Sequence, residues 1–358
     1  TLAGAVRQVG GADKVDLLVC GGDLFNASTM ANVGTGGGSA YAGCMEWAWG
    51  LAVDLIAPHF PDIPWIAVPG NHDYQYYRTT CAVDYYTAGM SNAGCSSVDI
   101  GNVHFVQLPF LGTWKANGVA DQYRSAFAWL RGDLAASLAP WKVVCVHWGP
   151  YSTGDHGTGR KGTGTMDSEG VIDMTKELAP ILSAGHVDLV LQAHDHVFTK
   201  TVPYRWDTDG YTGSASDAGV LNLNPATAVI GGKAYDVNPN GTYYVCTGCA
   251  GHRAAEEPTY PTVDGADSFT RRDPRIVVGK VGVDSKFRKT GDYASADFHD
   301  IDANGFQMFG VLNVRDRLMT YSFYVVEGDG TVTLLDELRV SKRMEGEKSD
   351  LGLSVFLR

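Results

Sequence analysis

The fold of this chain is decided by residues 187–196, whose sequence is VDLVLQAHDH. A mainly apolar run, Val187–Gln192, ends in a polar turn that contains His194 and His196. A short apolar run bounded by turn residues is typical of a buried strand. The stretch therefore predicts a strand whose carboxyl end carries imidazole side chains.

The same pattern of an apolar strand followed by a polar turn occurs earlier in the chain. Three more strands are predicted to end just before a potential ligand: Val15–Cys20 before Asp23, Pro64–Val68 before Asn71, and Trp141–Val146 before His147. A further strand is predicted at Val103–Leu108, and helical segments at 2–10, Met45–Ile56, Tyr123–Leu138 and Thr175–Ser183. Alternating strands and helices indicate an α/β protein, in which a site forms at the carboxyl edge of the sheet.

The remainder of the chain predicts one domain over residues 1–343 followed by a polar tail at 344–358. Residues 200–305 are rich in Gly, Asp, Pro and Thr, and we interpret them as long loop insertions with short strands such as Thr242–Val245. Alternating apolar positions over 306–341, with a Gly-Asp-Gly turn at 328–330, predict a terminal β-meander.

The charge balance restricts the class of partner. The 358 residues include 28 Lys+Arg and 40 Asp+Glu, for a formal net charge of −12. Proteins that bind duplex nucleic acid carry a basic footprint, so a nucleic-acid duplex is not the expected partner. No apolar run approaches the roughly 20 residues of a membrane-spanning helix, so no membrane span is expected.

The seven cysteines cannot all pair within one chain. Cys20 and Cys145 lie in apolar strand-like runs and are predicted to be buried thiols. Cys81 and Cys95 are the best candidates for a disulfide.

The side chains at the predicted strand ends have the chemistry of metal ligands. Asp23, Asn71, His147, His194 and His196 offer oxygen and imidazole nitrogen atoms, which suit borderline divalent metals. Alternate side chains of an extended His-x-His segment point apart and can serve two metals, and a carboxylate can bridge them. The pattern therefore predicts a pair of metal ions.

These motifs together resemble the calcineurin-like metallophosphoesterase superfamily, most closely its purple-acid-phosphatase-like branch. The matching segments are Gly22-Asp23, Gly70–Asp73, Val146-His147, Gly149–Ser152 and Ala193–His196. The resemblance implies a four-layer α/β/β/α sandwich of two mixed β-sheets flanked by helices, the metallophosphoesterase fold.

The resemblance also implies a role for each metal ligand. Asp23 would bridge two metal ions, which could be iron, zinc or manganese. Asn71, His147 and His194 would complete one site, and His196 would belong to the other.

Further residues are implied to act on the substrate. His72 would be an outer-sphere acid oriented by Asp73. His156 would face the substrate, which Asn71 would also contact.

Three positions depart from the family's pattern. No Asp motif of an opening strand occurs between Thr1 and Asp13, so we expect that motif upstream of the given sequence. Asn26 replaces the tyrosine of the purple phosphatases, so a ferric tyrosinate site is not expected. Ala193 replaces the usual glycine before His-x-His, which we expect to alter only the turn.

The activity implied is that of an acid-phosphatase-like metallophosphoesterase, in which metal-bound hydroxide attacks a phosphate ester in line at a dinuclear centre. The substrate would be a small-molecule phosphate ester or another phosphorylated molecule. One alternative is a phosphodiesterase or nucleotide pyrophosphatase that uses the same site, and another is a non-catalytic binding module. An extracytoplasmic location, secreted or periplasmic, is expected from similar proteins. The motifs do not indicate the oligomeric state.

Overall fold

The computed structural model describes residues 2–10, 15–23, 58–61, 63–68, 70, 95–109, 119–151, 174–194, 198–206, 220–222, 225–247, 278–281, 307–326 and 330–342. Within these ranges there are three helices, α1 (Leu2–Gly10), α2 (Val119–Ala136) and α3 (Met174–Ala184). The strands in the same ranges are β1 (Leu18–Cys20), β2 (Trp65–Ala67), β3 (Ser96–Ile100), β4 (Val103–Leu108), β5 (Trp141–Val146), β6 (Leu189–Gln192), β7 (Phe198–Thr201), β8 (Tyr204–Trp206), β9 (Val220–Asn222), β10 (Ala226–Ile230), β11 (Lys233–Val237), β12 (Tyr243–Thr247), β13 (Val278–Val281), β14 (Gln307–Arg315), β15 (Leu318–Val326) and β16 (Val332–Ser341).

Two mixed sheets form the centre of the protein. The seven-stranded sheet has the order β13-β7-β12-β6-β5-β4-β3, and its four middle strands, β12, β6, β5 and β4, are parallel. The five-stranded sheet has the order β10-β11-β16-β15-β14 and is antiparallel except for β11 and β16. β1 and β2 form a separate parallel pair.

Strand alternation divides the seven-stranded sheet between two cores. On β5, Val144 and Val146 pack with apolar residues of α2 and α3, including Leu130 and Leu182. The intervening residues Trp141, Val143 and Cys145 pack instead with the five-stranded sheet through Met319, Phe323, Val325 and Val340. Because successive side chains of a strand point to opposite faces, one apolar run supplies both cores.

Helix α1 covers the other face of the five-stranded sheet. Its Ala5 is buried in a cluster with Phe309 and Val326. These two residues alternate along their strands with Met308 and Val325, which face the seven-stranded sheet. The layers are therefore helix, sheet, sheet and helix, which confirms the predicted four-layer sandwich.

Most of the predicted elements in the described residues are present. β4 and β5 have the predicted bounds, and the terminal meander is formed by β14, β15 and β16. Residues 200–247 contain more strand than predicted, namely β8 to β11, each of only three to five residues. The helix predicted at Met45–Ile56 lies outside the described residues. No described helix has the length and hydropathy that a membrane crossing requires.

The expected Cys81–Cys95 disulfide is a wrong prediction, because Cys95 is a free cysteine. Its side chain is buried in the core with Val106, Leu108 and Tyr123, so its position is explained by apolar packing. Cys81 lies outside the described residues. Cys145 is a buried thiol as predicted, whereas Cys20 is only half-buried.

The buried thiols give a direct test of this arrangement. Burial, followed by the charge of Asp133, raises the pKa of Cys95 to about 12, and burial raises the pKa of Cys145 to about 12. Because the thiolate is the nucleophile, we expect neither residue to react with iodoacetamide at pH 8 in the folded protein. Both should react after unfolding without reductant, as measured by peptide mass spectrometry. A requirement for reductant at Cys95 would contradict its assignment as a free thiol.

An ion pair between the buried Asp188 and the partly exposed Lys342 lies at the amino ends of β5 and β6. The Lys342 Nζ is 2.6 Å from Asp188 Oδ1, and the backbone N–H of Lys142 donates to Asp188 Oδ2 at 2.9 Å. Burial raises the pKa of Asp188, and the charge of Lys342 opposes that shift. Lys342 also lies over the Trp141 ring, 4.5 Å from its centroid. The pair therefore joins the end of β16 to the seven-stranded sheet.

Replacing Lys342 with methionine should lower the free energy of unfolding by about 1–3 kcal/mol, a value reduced for the partial exposure of the lysine. An acid whose pKa is raised by folding contributes stability below its unfolded pKa and loses it as pH rises through the folded pKa. Removing Lys342 raises the pKa of Asp188 further, so the deficit in urea unfolding should be larger at pH 7 than at pH 4. Lys233→Met, which removes an exposed lysine near Glu337, is the control. Equal deficits for Lys342→Met at both pH values would contradict the prediction.

Candidate metal centre

Three strand ends place potential ligands at one edge of the molecule. β5 and β6 are paired up to Val146 and Gln192, and the backbone N–H of Ala193 donates to His147 O at 3.0 Å. His147 and His194 therefore leave neighbouring strands at the same level. Asp23 arrives from β1, whose Cys20 O accepts a hydrogen bond from Val68 N at 2.9 Å.

The three side chains form a compact group. One potential ligand atom from each of Asp23, His147 and His194 lies within 4.8 Å of the other two. The rings of His147 and His194 meet edge to face, with their centroids 5.2 Å apart. Among the acidic, histidine and cysteine side chains of the described residues, those of this group are spaced closely enough to hold a metal ion.

The protonation of His147 is set by the backbone. Its Nδ1 lies 2.7 Å from Gly21 O. A carbonyl can only accept, so Nδ1–H donates this bond and the neutral ring has its lone pair on Nε2. His147 is almost completely buried, and Nε2 faces Asp23 Oδ2 at 3.4 Å. The bond from Nδ1–H to Gly21 O is the outer hydrogen bond expected of a metal-binding histidine.

The separation of Nε2 and Oδ2 fits a shared metal ion. It exceeds the usual N–H···O distance of about 2.7–3.2 Å. Metal–ligand bonds of about 2.0–2.2 Å place neighbouring ligand atoms roughly 3.0–3.5 Å apart. Two electron-pair donors that face each other at this distance are stabilised by a cation between them, so the residues present fit a divalent metal.

The backbone at the site has little space for larger side chains. Gly22 has a φ of +107°, and a Cβ there would lie 2.4 Å from His147 Nδ1. A Cβ on Gly70 would lie 2.1 Å from Asp23 Oδ1. Asp23 and His194 also have positive φ angles, +53° and +69°. Uncommon backbone conformations of this kind are concentrated at functional sites.

Ala193 affects more than the turn. A Cβ on Gly21 would lie 2.8 Å from Ala193 Cβ, which is closer than two methyl carbons can approach. Ala193 in place of the family's glycine is therefore accommodated because residue 21 is glycine.

Trp148 forms one wall of the site. Its ring lies 4.6 Å from that of His194 between centroids, with a tilt of 36°, and the side chain is buried. The indole limits the orientations of the His194 imidazole. No role is predicted for Trp148 from the sequence, although its position directly after His147 places it beside a candidate ligand.

The structure brings together three of the predicted site residues. Asp23, His147 and His194 are in the described part of the chain and are adjacent. The other predicted residues lie outside the described residues: Asn71, His72, Asp73, His156 and His196. An ideal Cβ on Gly70 would lie 2.1 Å from Asp23 Oδ1, so Gly70 itself lies at the same edge.

Two mixed sheets packed face to face between helices, with a carboxylate and two imidazoles at the strand ends, define the metallophosphoesterase fold. The chain belongs to the calcineurin-like phosphoesterase family, whose family model matches residues 1–198. This confirms the resemblance identified from the motifs.

Curated relatives are distant. Purple acid phosphatase 18 of Arabidopsis thaliana is 24% identical over 178 residues, which cover 46% of this chain and 37% of the relative. Purple acid phosphatase 3 of the same plant is 29% identical over 154 residues, 37% of this chain and 38% of the relative. An uncharacterized protein of Mycobacterium tuberculosis is 23% identical over 316 residues, 79% of this chain and 54% of the relative. The chain thus spans about half or less of the length of these relatives.

A solved structure shares the fold. It is that of a purple acid phosphatase from yellow lupin (Lupinus luteus) seeds, with a TM-score of 0.51 and 16% sequence identity. The alignment covers 95% of this chain and 48% of the lupin chain.

Proposed function

We propose that this protein hydrolyses phosphate esters at a metal centre held by Asp23, His147 and His194. The observation that carries the proposal is the pairing of His147 Nε2 with the Asp23 carboxylate at 3.4 Å, with His147 Nδ1–H held by Gly21 O. Family membership supports the class of reaction. Divalent metals act as Lewis acids toward the phosphoryl group, and they activate water, which displaces the leaving group from phosphorus.

The described residues have distinct tasks in this proposal. Gly21 O keeps the His147 proton on Nδ1, so that Nε2 remains available as a ligand. Asp23 provides the negative charge that offsets a divalent cation. Trp148 packs against one face of the His194 ring and excludes water from it.

A second metal is part of the proposal. Asp23 has two carboxylate oxygens and can bridge two cations, and Asn71 and His196 are the further ligands we propose on the basis of the family resemblance. His72, with Asp73 and His156, is proposed to supply the proton to the leaving group. Imidazole suits this task because its pKa is ordinarily close to neutral pH.

Metal loading followed by hydrolysis assays tests the proposal. The protein is stripped with a chelator, reloaded separately with Zn²⁺, Mn²⁺ or Fe²⁺, and analysed by elemental mass spectrometry. We expect about two ions per chain and hydrolysis of p-nitrophenyl phosphate that the chelator removes and metal restores. Absence of binding with every metal would refute the metal centre.

The alternatives give different results in the same assay. A faster rate on bis(p-nitrophenyl) phosphate than on the monoester would indicate a phosphodiesterase at the same site. Metal binding without hydrolysis of either ester would indicate a non-catalytic binding module and would contradict the proposed activity.

A further inference from the structure

One buried amide connects the two segments that carry the histidine ligands. Gln192 is the last residue of β6, two positions before His194, and its side chain is buried. Its Oε1 accepts a hydrogen bond from the backbone N–H of Tyr151 at 3.2 Å, and its Nε2 donates to Tyr151 O at 2.5 Å. Tyr151 lies four residues after His147.

These bonds begin where the sheet ends. The ladder between β5 and β6 stops at Val146 and Gln192. Beyond that point the backbone bond from Ala193 N to His147 O links the two segments, and the Gln192 side chain adds two more links. The amide therefore extends the pairing of the segments past the last residues of the strands.

The intervening loop is shaped around the Gln192 side chain. A Cβ on Gly149 would lie 1.9 Å from Gln192 Oε1 and 2.3 Å from its Cδ. The chain from His147 to Tyr151 thus passes directly against the amide. A glycine is required at position 149 for this close approach.

Tyr151 provides a rigid attachment for the amide. Its ring is buried and meets those of Tyr204 and Tyr244 edge to face, with centroid distances of 5.1 and 4.7 Å. Such aromatic pairs have preferred geometries and restrict one another. Gln192 is therefore bonded to a backbone segment that the core holds in place.

We propose that Gln192 is a positioning residue of the metal centre, which sets the separation and orientation of His147 and His194. This inference rests on the proposed function, because it assigns a task toward the same metal site. Ligand side chains require support from the residues behind them, and loss of an outer-shell partner typically weakens metal binding about 10- to 100-fold.

The test uses Gln192→Met, which keeps a similar side-chain length and removes both hydrogen bonds. Co²⁺ is titrated into the metal-free full chain by calorimetry and by visible absorption, which reports ligand geometry. We expect about 10- to 100-fold weaker Co²⁺ affinity and a changed absorption spectrum.

The matched control is Thr242→Val. Thr242 is buried, and its Oγ1 donates to Val187 O at 2.7 Å, near the opposite end of β6. This variant also loses a buried side-chain to backbone hydrogen bond, so it should be less stable to heat. We expect its Co²⁺ affinity and spectrum to match those of the wild type.

A second variant disturbs the Gln192 amide from the loop that passes against it. Gly149→Ala introduces a methyl group where the Gln192 amide lies, and it should weaken Co²⁺ binding in the same direction. If Gln192→Met does not fold, Gln192→Leu replaces it, because leucine also removes both hydrogen bonds to Tyr151. Wild-type affinity and spectrum in a folded variant at either position would overturn the positioning role.

The outcomes also separate this inference from the proposed function. Failure of the wild-type chain to bind Co²⁺ would refute the metal centre itself. Tight Co²⁺ binding that is equal in the wild type and Gln192→Met would leave the metal centre in place and refute the role of Gln192.

Discussion

Replacing His147 with alanine should remove metal binding and hydrolysis together. The side chain supplies Nε2 to the group with Asp23 and His194, and its Nδ1–H is already held by Gly21 O. We expect phosphate ester hydrolysis to fall by more than the roughly 100-fold that accompanies loss of an outer-shell partner. Elemental analysis and p-nitrophenyl phosphate hydrolysis measure the two effects on the same preparation.

His104→Ala is the matched control for this variant. His104 is also a buried histidine, and its ring nitrogens lie 2.6 Å from Asp99 Oδ1 and 2.8 Å from Asp133 Oδ2. Its loss should lower the free energy of unfolding by about 1–3 kcal/mol, because Asp133 loses a bonding partner. Metal content should not change. Wild-type metal content in His147→Ala would show that His147 is not a ligand.

Replacing Gly22 with alanine should disrupt the site without removing a ligand. The new methyl group would lie 2.4 Å from His147 Nδ1 and 2.7 Å from Val68 O. It therefore displaces the imidazole from Gly21 O, the bond that orients Nε2. We expect metal affinity to fall by about 10-fold or more, measured by titration with Zn²⁺.

Backbone strain is separated from this steric effect by Gly330→Ala. Gly330 has a φ of +87°, comparable to the +107° of Gly22, and among the described residues other than its chain neighbours no atom lies within 4 Å of its ideal Cβ. Both variants should lose about 1–3 kcal/mol of stability from the unfavourable backbone conformation. Only Gly22→Ala should lose metal affinity, and equal affinities in the two variants would contradict the displacement of His147.

The layers of the fold followed from local patterns. An apolar run such as Trp141–Val146 specifies a strand that is buried on both faces, and the helices between strands specify a mainly parallel sheet. Strands β8 to β11 were not predicted, because runs of three to five residues are too short to show a clear periodic signal. The Cys81–Cys95 disulfide was predicted wrongly, since sequence spacing alone does not reveal that the Cys95 thiol is packed in an apolar core.

Some features of the candidate site could be predicted from local sequence, whereas others depend on contacts between remote residues. Asp23, His147 and His194 were recognisable as candidate ligands because each follows a strand-like run, a relation between residues that are close in sequence. The link from Gly21 O to His147 Nδ1 joins residues 126 positions apart. The tasks of Gly22 and Gln192 depend on similarly remote contacts.

Periodicity and residue type were thus sufficient to specify the strands that lead to the site, their polar ends and the chemical nature of the candidate ligands, because these depend on neighbours along the chain. Tertiary packing decided which nitrogen of His147 is available, how far it lies from Asp23, and which side chain supports the segments around His147 and His194. Those properties depend on short interatomic distances between segments that are remote in sequence, and only the packing of the sheets determines these distances.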